Sequence, residues 1–441
     1  MGGADTVAAL ATPFGQGAIA VLRISGPGAV AVADKVFRGS AKVAQTASGR
    51  VCRGRIVDSG AVVDDVLLTV FRAPRSYTGE DVVEISGHGG MVVARATMKA
   101  VLAAGARPAE PGEFTRRAFL NGKLDLTQAE AVMDLISARS AAAARAAAGQ
   151  LAGRLGEEVE KLRQDVLVAL AHLEAFIDFP EEGIDPESGK ILRGRLEGVS
   201  AGVARLLSTA DEGRMLREGV RLVIHGEPNV GKSSLLNLLL GYDRAMVSAI
   251  PGTTRDTIEE NLTLSGLPFR IVDTAGFRDS SDPLEQEGMR RAAREVRQAD
   301  VAVRVFDNPS AAAQSSPGHE IRVLNKIDLW PADRIPPGVV AVSCLEGRGL
   351  SDLVAAIGER SGLLSMDKLE ETVAVNARHQ HCLSSAASFL AASIDSLGRG
   401  DAPELTAVEL RSALASLGEI TGAGNHEEVL DKIFGAFCIG K

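Results

Sequence analysis

The stretch GEPNVGKSS, residues 226–234, carries the most specific chemistry in the chain. Gly226, Gly231, Lys232 and Ser233 have the spacing of a phosphate-binding loop, set between an apolar run, LVIH, and a helix-like one, LLNLLL. In that setting the backbone N–H groups of Asn229, Val230, Gly231, Lys232, Ser233 and Ser234 surround a polyphosphate at a helix N-terminus. Lys232 neutralises the β and γ oxygens, and the Ser233 hydroxyl ligates Mg2+. DTAG (Asp273, Thr274, Ala275, Gly276) ends a second apolar run. There Asp273 would reach Mg2+ through water and the Gly276 amide would sense the γ-phosphate.

The base is read by NKID, residues 325–328. An ionised Asp328 only accepts hydrogen bonds, so it suits the N1–H and exocyclic amine of guanine, neither of which adenine offers there. GTP is therefore the expected nucleotide. Asn325 and Lys326 brace the base, and Ser343 with Cys344, in AVSCLEG, backs it.

Between the phosphate loop and DTAG lies SAIPGTTRD, with Ser248, Ala249, Ile250, Pro251, Gly252, Thr253 and Thr254. Thr254 is the expected second hydroxyl on Mg2+, on a loop ordered by the γ-phosphate. Phe277 follows DTAG, and a phenyl ring cannot orient an attacking water as a glutamine does. Glu285, in SSDPLEQEG, is expected to do so through a bridging water. No arginine finger is evident. Asn229, Thr253 and loop carbonyls offer neutral oxygens suited to K+, whose charge would replace the finger's.

Such loops need a doubly wound parallel sheet. The runs LVIHG, FRIVDTAG, VAVRVFD, IRVLNKID and VVAVSC alternate with helical stretches from about 220 to 360. Before them, in residues 5 to about 120, the apolar runs TVAALATP, GAIAVLRISG, VVDDVLLTVFRAP and DVVEISGHGG alternate with glycine turns and read as strands, with a helix over roughly 91–104, making a small α/β domain. From about 125 the pattern is helical. Leu151, Leu155, Val159, Leu162, Val166, Leu170 and Leu173 line one side of a long helix stopped by Pro180. The chain is helical again from about 370. The expected architecture is multidomain, with an α/β N-terminal domain at 1–120 and an all-α central domain from 121–215 plus 370–441. A P-loop α/β, Ras-like GTPase domain is inserted at 216–369.

A length of 441 residues suits several cores, and a net charge of −9 excludes broad phosphate neutralisation, leaving any RNA contact to a local basic patch or a partner. DNA is not an expected partner. No run approaches the ~20 apolar residues of a spanning helix. Four cysteines without C-x-x-C spacing indicate neither a disulfide framework nor a zinc ribbon, which fits a reducing cytoplasm. Gly2 and Thr6 match the loose myristoylation pattern, but Thr6 opens an apolar run that reads as a strand. His379, His381 and Cys382 in RHQHC have spacings that suit a tetrahedral metal site poorly on a helix, and read as ordinary packing and surface positions. The end, FCIGK, puts Cys438 where a prenylated cysteine would stand; Gly440, Lys441 and the lack of a polybasic run argue against that reading.

Together LRISG, FRAPRSYTGEDVVEISGHGG, PGEFTRRAFLNGKLDLTQAEAV, AHLEAFIDFPEE, GEPNVGKSSLLN, GTTRD, DTAGFR, NKIDL and FCIGK resemble the MnmE (TrmE) family of tRNA-modification GTPases over nearly the whole length. The resemblance implies that the first domain binds 5-formyl- or methylene-tetrahydrofolate and forms a homodimer, with folate contacts at Arg23, Glu80, Lys123 and Lys441. It implies K+ ligands at Asn229, Ser248, Ile250 and Thr253, Mg2+ ligands at Ser233 and Thr254, and a catalytic Glu285. It also implies a heterotetramer with the FAD-dependent MnmG, which installs an aminomethyl or carboxymethylaminomethyl group at C5 of the wobble uridine of certain tRNAs. Cys438 then reads as a thiol delivered beside Lys441 to the folate site, a nucleophile toward the uridine or the one-carbon unit. Gly87 stands where the family often has cysteine. A ribosome-assembly RNA-binding GTPase, or a folate-binding scaffold that uses GTP only as a clamp, are the other readings.

Overall fold

Apolar residues at alternate positions, most regularly Val66, Leu68 and Val70, turn one face of the first sheet inward. Its strands are β1 (Val7–Leu10), β2 (Ile19–Ser25), β3 (Phe37–Gly39), β4 (Val51–Asp58), β5 (Ala61–Phe71), β6 (Val82–His88) and β7 (Arg107–Pro108). They lie in the order β3-β4-β5-β6-β2-β1-β7, all antiparallel except β1 with β7. Helices α1 (Ala29–Val36) and α2 (Met91–Ala103) supply Val32, Ala33 and Val101 to a core shared with Leu22, Ile24, Ile56, Val66, Leu68 and Ile85 of the strands. Near β1 a smaller cluster forms as α3 (Glu113–Leu120) buries Phe114 against Val7, Ala9 and Ala109. The computed structural model describes residues 5–178, 189–246, 260–272, 294–314, 320–362, 374–424 and 427–441.

The chain divides into two units, Met1–Met133 with Ala415–Lys441, and Asp134–Leu414. In the first, α3 is preceded by Gly112, whose φ of 65° and close approach to the Phe434 carbonyl leave no room for a side chain. Helix α4 (Leu126–Ser137) follows, started by a reciprocal cap in which Asp125 Oδ1 accepts from the Gln128 N–H and Gln128 Oε1 accepts from the Asp125 N–H.

The second unit opens with α5 (Ala141–Leu151), α6 (Arg154–Asp178), α7 (Gly189–Ser208) and α8 (Ala210–Glu218). The leucine stripe expected on one helix is split between two. Gly153, at φ 95°, turns the chain after α5, and Leu155, Val159, Leu162, Val166, Leu170 and Leu173 are buried along α6. Helix α7 packs against α6 and the later helix Ala377–Arg399. The latter starts with a capping box in which His379 accepts at Nδ1 from the Asn376 N–H and donates its own N–H to Asn376 Oδ1. The histidine of RHQHC nearest the helix start thus closes a helix end.

Continuous apolar runs then form β8 (Val220–Gly226), β9 (Glu260–Leu264), β10 (Leu267–Ile271), β11 (Val301–Phe306), β12 (Glu320–Leu324) and β13 (Val340–Ala341). Their order is β13-β12-β11-β8-β10-β9, parallel except for the β9–β10 hairpin. The strand expected over VVAVSC is short, because Ser343 already turns the chain by bonding the Arg348 carbonyl. Helix α9 (Lys232–Met246) covers the sheet through Leu235 and Leu239. No described helix is long and apolar enough to cross a membrane.

Candidate functional site

The loop after β8 is shaped by backbone geometry that few residues adopt. Gly226 has φ 146° and Gly231 φ 100°, and a Cβ on Gly231 would fall 2.1 Å from Asn325 Nδ2. Asn229 itself lies at φ 64°, in the left-handed region that asparagine tolerates. Lys232 Nζ lies within the loop, donating to the carbonyls of Gly226 (3.1 Å) and Glu227 (2.6 Å). Ser233 and Ser234 are exposed in the first turn of α9, while Val230 is buried. The helix N-terminus and the lysine ammonium make an anion cradle.

The loop at 325–328 is tied to this cradle by polar side chains, and the loops at 307 and 343–344 are tied to it in turn. Buried Asn325 donates from Nδ2 to the Val230 carbonyl (2.9 Å) and accepts at Oδ1 from the Cys344 N–H (3.2 Å). Lys326 Nζ reaches the Asn229 carbonyl (3.0 Å) and Asp307 (2.9 Å). Fully buried Ser343 donates to Asp328 Oδ1 at 2.6 Å. That bond holds the Asp328 carboxyl below its ordinary range. Burial, and then the Asp328 charge, push the Cys344 thiol up to about 11, so it is a neutral packing group beside Asp328. Asn229, Val230, Gly231, Lys232, Asn325, Lys326, Asp328 and Ser343 are thus brought together. Ser248, Ala249, Ile250, Pro251, Gly252, Thr253, Thr254, Asp273, Thr274, Ala275, Gly276 and Glu285 lie outside the described residues.

A second cluster lies in the first unit. Arg23 on β2 makes two hydrogen bonds, of 2.9 and 2.8 Å, to Glu84 Oε1 on β6, and its guanidinium lies 5.1 Å from the Tyr77 ring and 5.6 Å from that of Phe114. The Phe114 N–H donates to the Lys441 carbonyl (3.2 Å), so the tail and Arg23 meet at one residue. Glu80 accepts from Ser25 Oγ (2.7 Å) and from Arg117 Nη1 (3.2 and 3.3 Å). Lys123 stands on the neighbouring loop, its Nζ on the Pro74 carbonyl (3.2 Å). Cys438 is an exposed free thiol whose carbonyl accepts from the Gly112 N–H.

The sequence reading missed the residue at the centre of this cluster. Buried Arg117 also binds Asp5 (2.7 Å) and Glu113 (2.8 Å), and Arg107 joins the same two carboxylates. Burial raises the Asp5 and Glu113 carboxyls, but the two arginines outweigh it and leave both below their ordinary values. The available signal was the i, i+4 pair Glu113 and Arg117 in GEFTRRAFL. The glycine at 87 also has a cause, since a Cβ there would sit 2.4 Å from Asp64 Oδ2. Asp64 uses that oxygen to accept the His88 N–H (2.7 Å) and its other one to bind His88 Nδ1 (2.6 Å), a bond that raises the imidazole's basicity.

The family described as MnmE helical domain matches residues 126–438, and the one described as GTP-binding protein TrmE N-terminus matches residues 6–123. A tRNA modification GTPase MnmE of Akkermansia muciniphila is 48% identical, covering 99% of both chains. The chain belongs to the MnmE family. Relatives named MnmE from Chloroflexus aurantiacus (46% identity, over 99% of this chain and 100% of the relative) and Syntrophotalea carbinolica (45%, over 99% of both) extend the likeness across the full length. As an MnmE-family member the chain is a GTP hydrolase, with an α/β nucleotide-binding fold beside a helical domain and a TrmE-type N-terminal domain.

Proposed function

We propose that the chain couples GTP hydrolysis to modification of tRNA, installing an aminomethyl or carboxymethylaminomethyl group at C5 of the wobble uridine. The observation that carries this reading is the full-length likeness to MnmE proteins, on which a base-recognition loop set is already tied together. Asp328, fixed by Ser343, accepts from the guanine N–H groups, and Lys232 neutralises the phosphate oxygens. Ser233 and Thr254 would hold Mg2+, and Asn229, Ser248, Ile250 and Thr253 would hold K+, which supplies positive charge beside the phosphates when bound. Asn229 suits this role, because its exposed side chain makes no hydrogen bond among the described residues. Glu285 orients the attacking water.

A reduced folate, 5-formyl- or methylene-tetrahydrofolate, would supply the one-carbon unit, held by Arg23, Glu80, Lys123 and Lys441. The residues fit such a ligand. Asp5, Glu80 and Glu113 outnumber Arg107 and Arg117 by one charge, which favours ligand N–H donors at Glu80. Cys438 supplies a nucleophilic thiol. The domain boundaries at 120, 215 and 370 belong to the same reading. So does the homodimer, supported by exposed Ile19, Met91 and Val92 around the β6–α2 junction, and so does the heterotetramer with FAD-dependent MnmG.

The test is GTP turnover by the full chain in KCl against NaCl. Turnover should require K+, and Asn229→Ala or Glu285→Ala should each remove that stimulation. Equal turnover in both salts, or stimulation that survives both substitutions, would refute the active-site assignment.

A further inference from the structure

Acidic as the chain is overall, residues 35–57 hold Lys35, Arg38, Lys42, Arg50, Arg53 and Arg55 and no aspartate or glutamate. The fold gathers three of these on one surface. Strands β3 and β4 pair antiparallel with Phe37 opposite Ile56, Arg38 opposite Arg55 and Gly39 opposite Gly54. Residues directly opposite share a face, and so do residues two apart, which puts Arg38, Arg53 and Arg55 together on the side away from buried Phe37 and Ile56. The register is locked by the Phe37 ring, which covers both glycines so closely that a Cβ on Gly54 would lie 2.4 Å from it and one on Gly39 2.5 Å.

Little else claims these charges. Arg53, Arg50 and Lys42 make no side-chain hydrogen bond or ion pair among the described residues. Arg55 meets Asp65 at 3.2 Å, with both side chains more than half exposed, a pair that contributes little. Arg38 donates only to the carbonyls of Asp34 and Phe37. The Asp34 carboxylate is occupied by the Val43 N–H (2.6 Å). Protection of a sheet edge accounts for Arg38 on β3, but Arg53 and Arg55 stand on the interior strand β4.

We propose that this outward face of β3 and β4 docks the phosphate backbone of folded RNA. Guanidinium groups pair with phosphates in two-pronged fashion, and RNA helical arms are held mainly through backbone contacts and shape. This inference rests on the reading that the chain acts on tRNA and names the surface that receives it.

The test uses the full chain, an unmodified tRNA transcript, and the triple variant Arg38→Gln, Arg53→Gln, Arg55→Gln. Affinity should fall ~10-fold or more near 0.1 M salt, and the slope of log K against log salt should flatten by roughly 2, at about 0.7–0.9 per lost phosphate contact. Intrinsic GTP turnover and melting temperature should stay unchanged. A control triple on the second unit, Lys161→Gln, Arg193→Gln, Arg205→Gln, makes the same change in net charge and should leave tRNA affinity intact.

Wild-type binding with unchanged affinity and slope in the β3–β4 variant would overturn the inference alone. So would an equal loss in the control, aggregation of the variant without loss of tRNA affinity, or loss of binding to phosphatidylserine vesicles with tRNA affinity retained. Failure of the wild type to bind tRNA would instead remove the tRNA reading itself, and the inference with it.

Discussion

The loops proposed to read the base and the Arg117 cluster solve the same problem in opposite ways. In the second unit, short segments each end a parallel strand and are joined by single bonds: Asn325 to Val230, Lys326 to Asn229, Ser343 to Asp328. Each loop keeps its chemistry in a few consecutive residues. In the first unit, Asp5, Glu80, Glu113 and Arg117 come from β1's approach, the loop before β6 and α3, and the tail arrives from the other end of the sequence. The first arrangement is local and modular, whereas the second is one network, centred on buried Arg117, that fails as a unit.

That contrast sets the size of each expected effect. On the proposed reading Asp328 makes two charge-assisted bonds to guanine, so Asp328→Asn should weaken GTP binding by ~10²–10⁴-fold, at roughly 1.5–3 kcal/mol each, while leaving the melting temperature alone. Calorimetric titration checks this, and a melting loss comparable to that of a core mutation would break the contrast. Arg117→Met should do the reverse. It takes the buried guanidinium from Glu80, Asp5 and Glu113, leaving Arg107 to hold only the last two, and should cost about 3 kcal/mol of stability in urea unfolding, with nucleotide affinity unchanged. Ser343→Ala frees Asp328 without removing it, and GTP affinity should drop ~10-fold, about the worth of one hydrogen bond to a charged group.

Acid sensitivity sharpens the same point. Glu113 lies below its ordinary value of 4.5 in the folded chain, so the unfolded chain takes up its proton first as pH falls. Its stabilisation is complete above pH 4.5 and is lost as pH drops through the lower folded value. Glu113→Gln should therefore flatten the fall in stability below that pH, measured as urea midpoints against pH. The smallest effect concerns thiols: at pH 8 iodoacetamide should label exposed Cys438 well before Cys344, whose thiol is raised to about 11, as peptide mass mapping would show.

Legibility in the sequence follows the same division. GEPNVGKSS, NKID and the short apolar strands around them could be read because spacing, strand and helix lie within about fifteen residues of one another. Strand β4 escaped, since VCRGRIVD carries arginines on its outward positions and a glycine opposite another glycine, which only the pairing with β3 explains. Helices α5 and α6 were merged because the leucine stripe runs through a glycine turn with its phase nearly kept. Arg117 escaped because Asp5 and Glu80 are far off in sequence, and its i, i+4 spacing from Glu113 competes with the i, i+3 spacing of adjacent Arg116.

The central claim is that nucleotide chemistry in one unit serves tRNA modification by the whole chain. The direct measurement is mass analysis of wobble nucleosides from cells lacking this protein, complemented with the wild type or with Asp328→Asn. The account predicts that C5-modified uridine disappears in the deletion, returns with the wild type and stays absent with Asp328→Asn. Full restoration by Asp328→Asn, or no loss in the deletion, would contradict it.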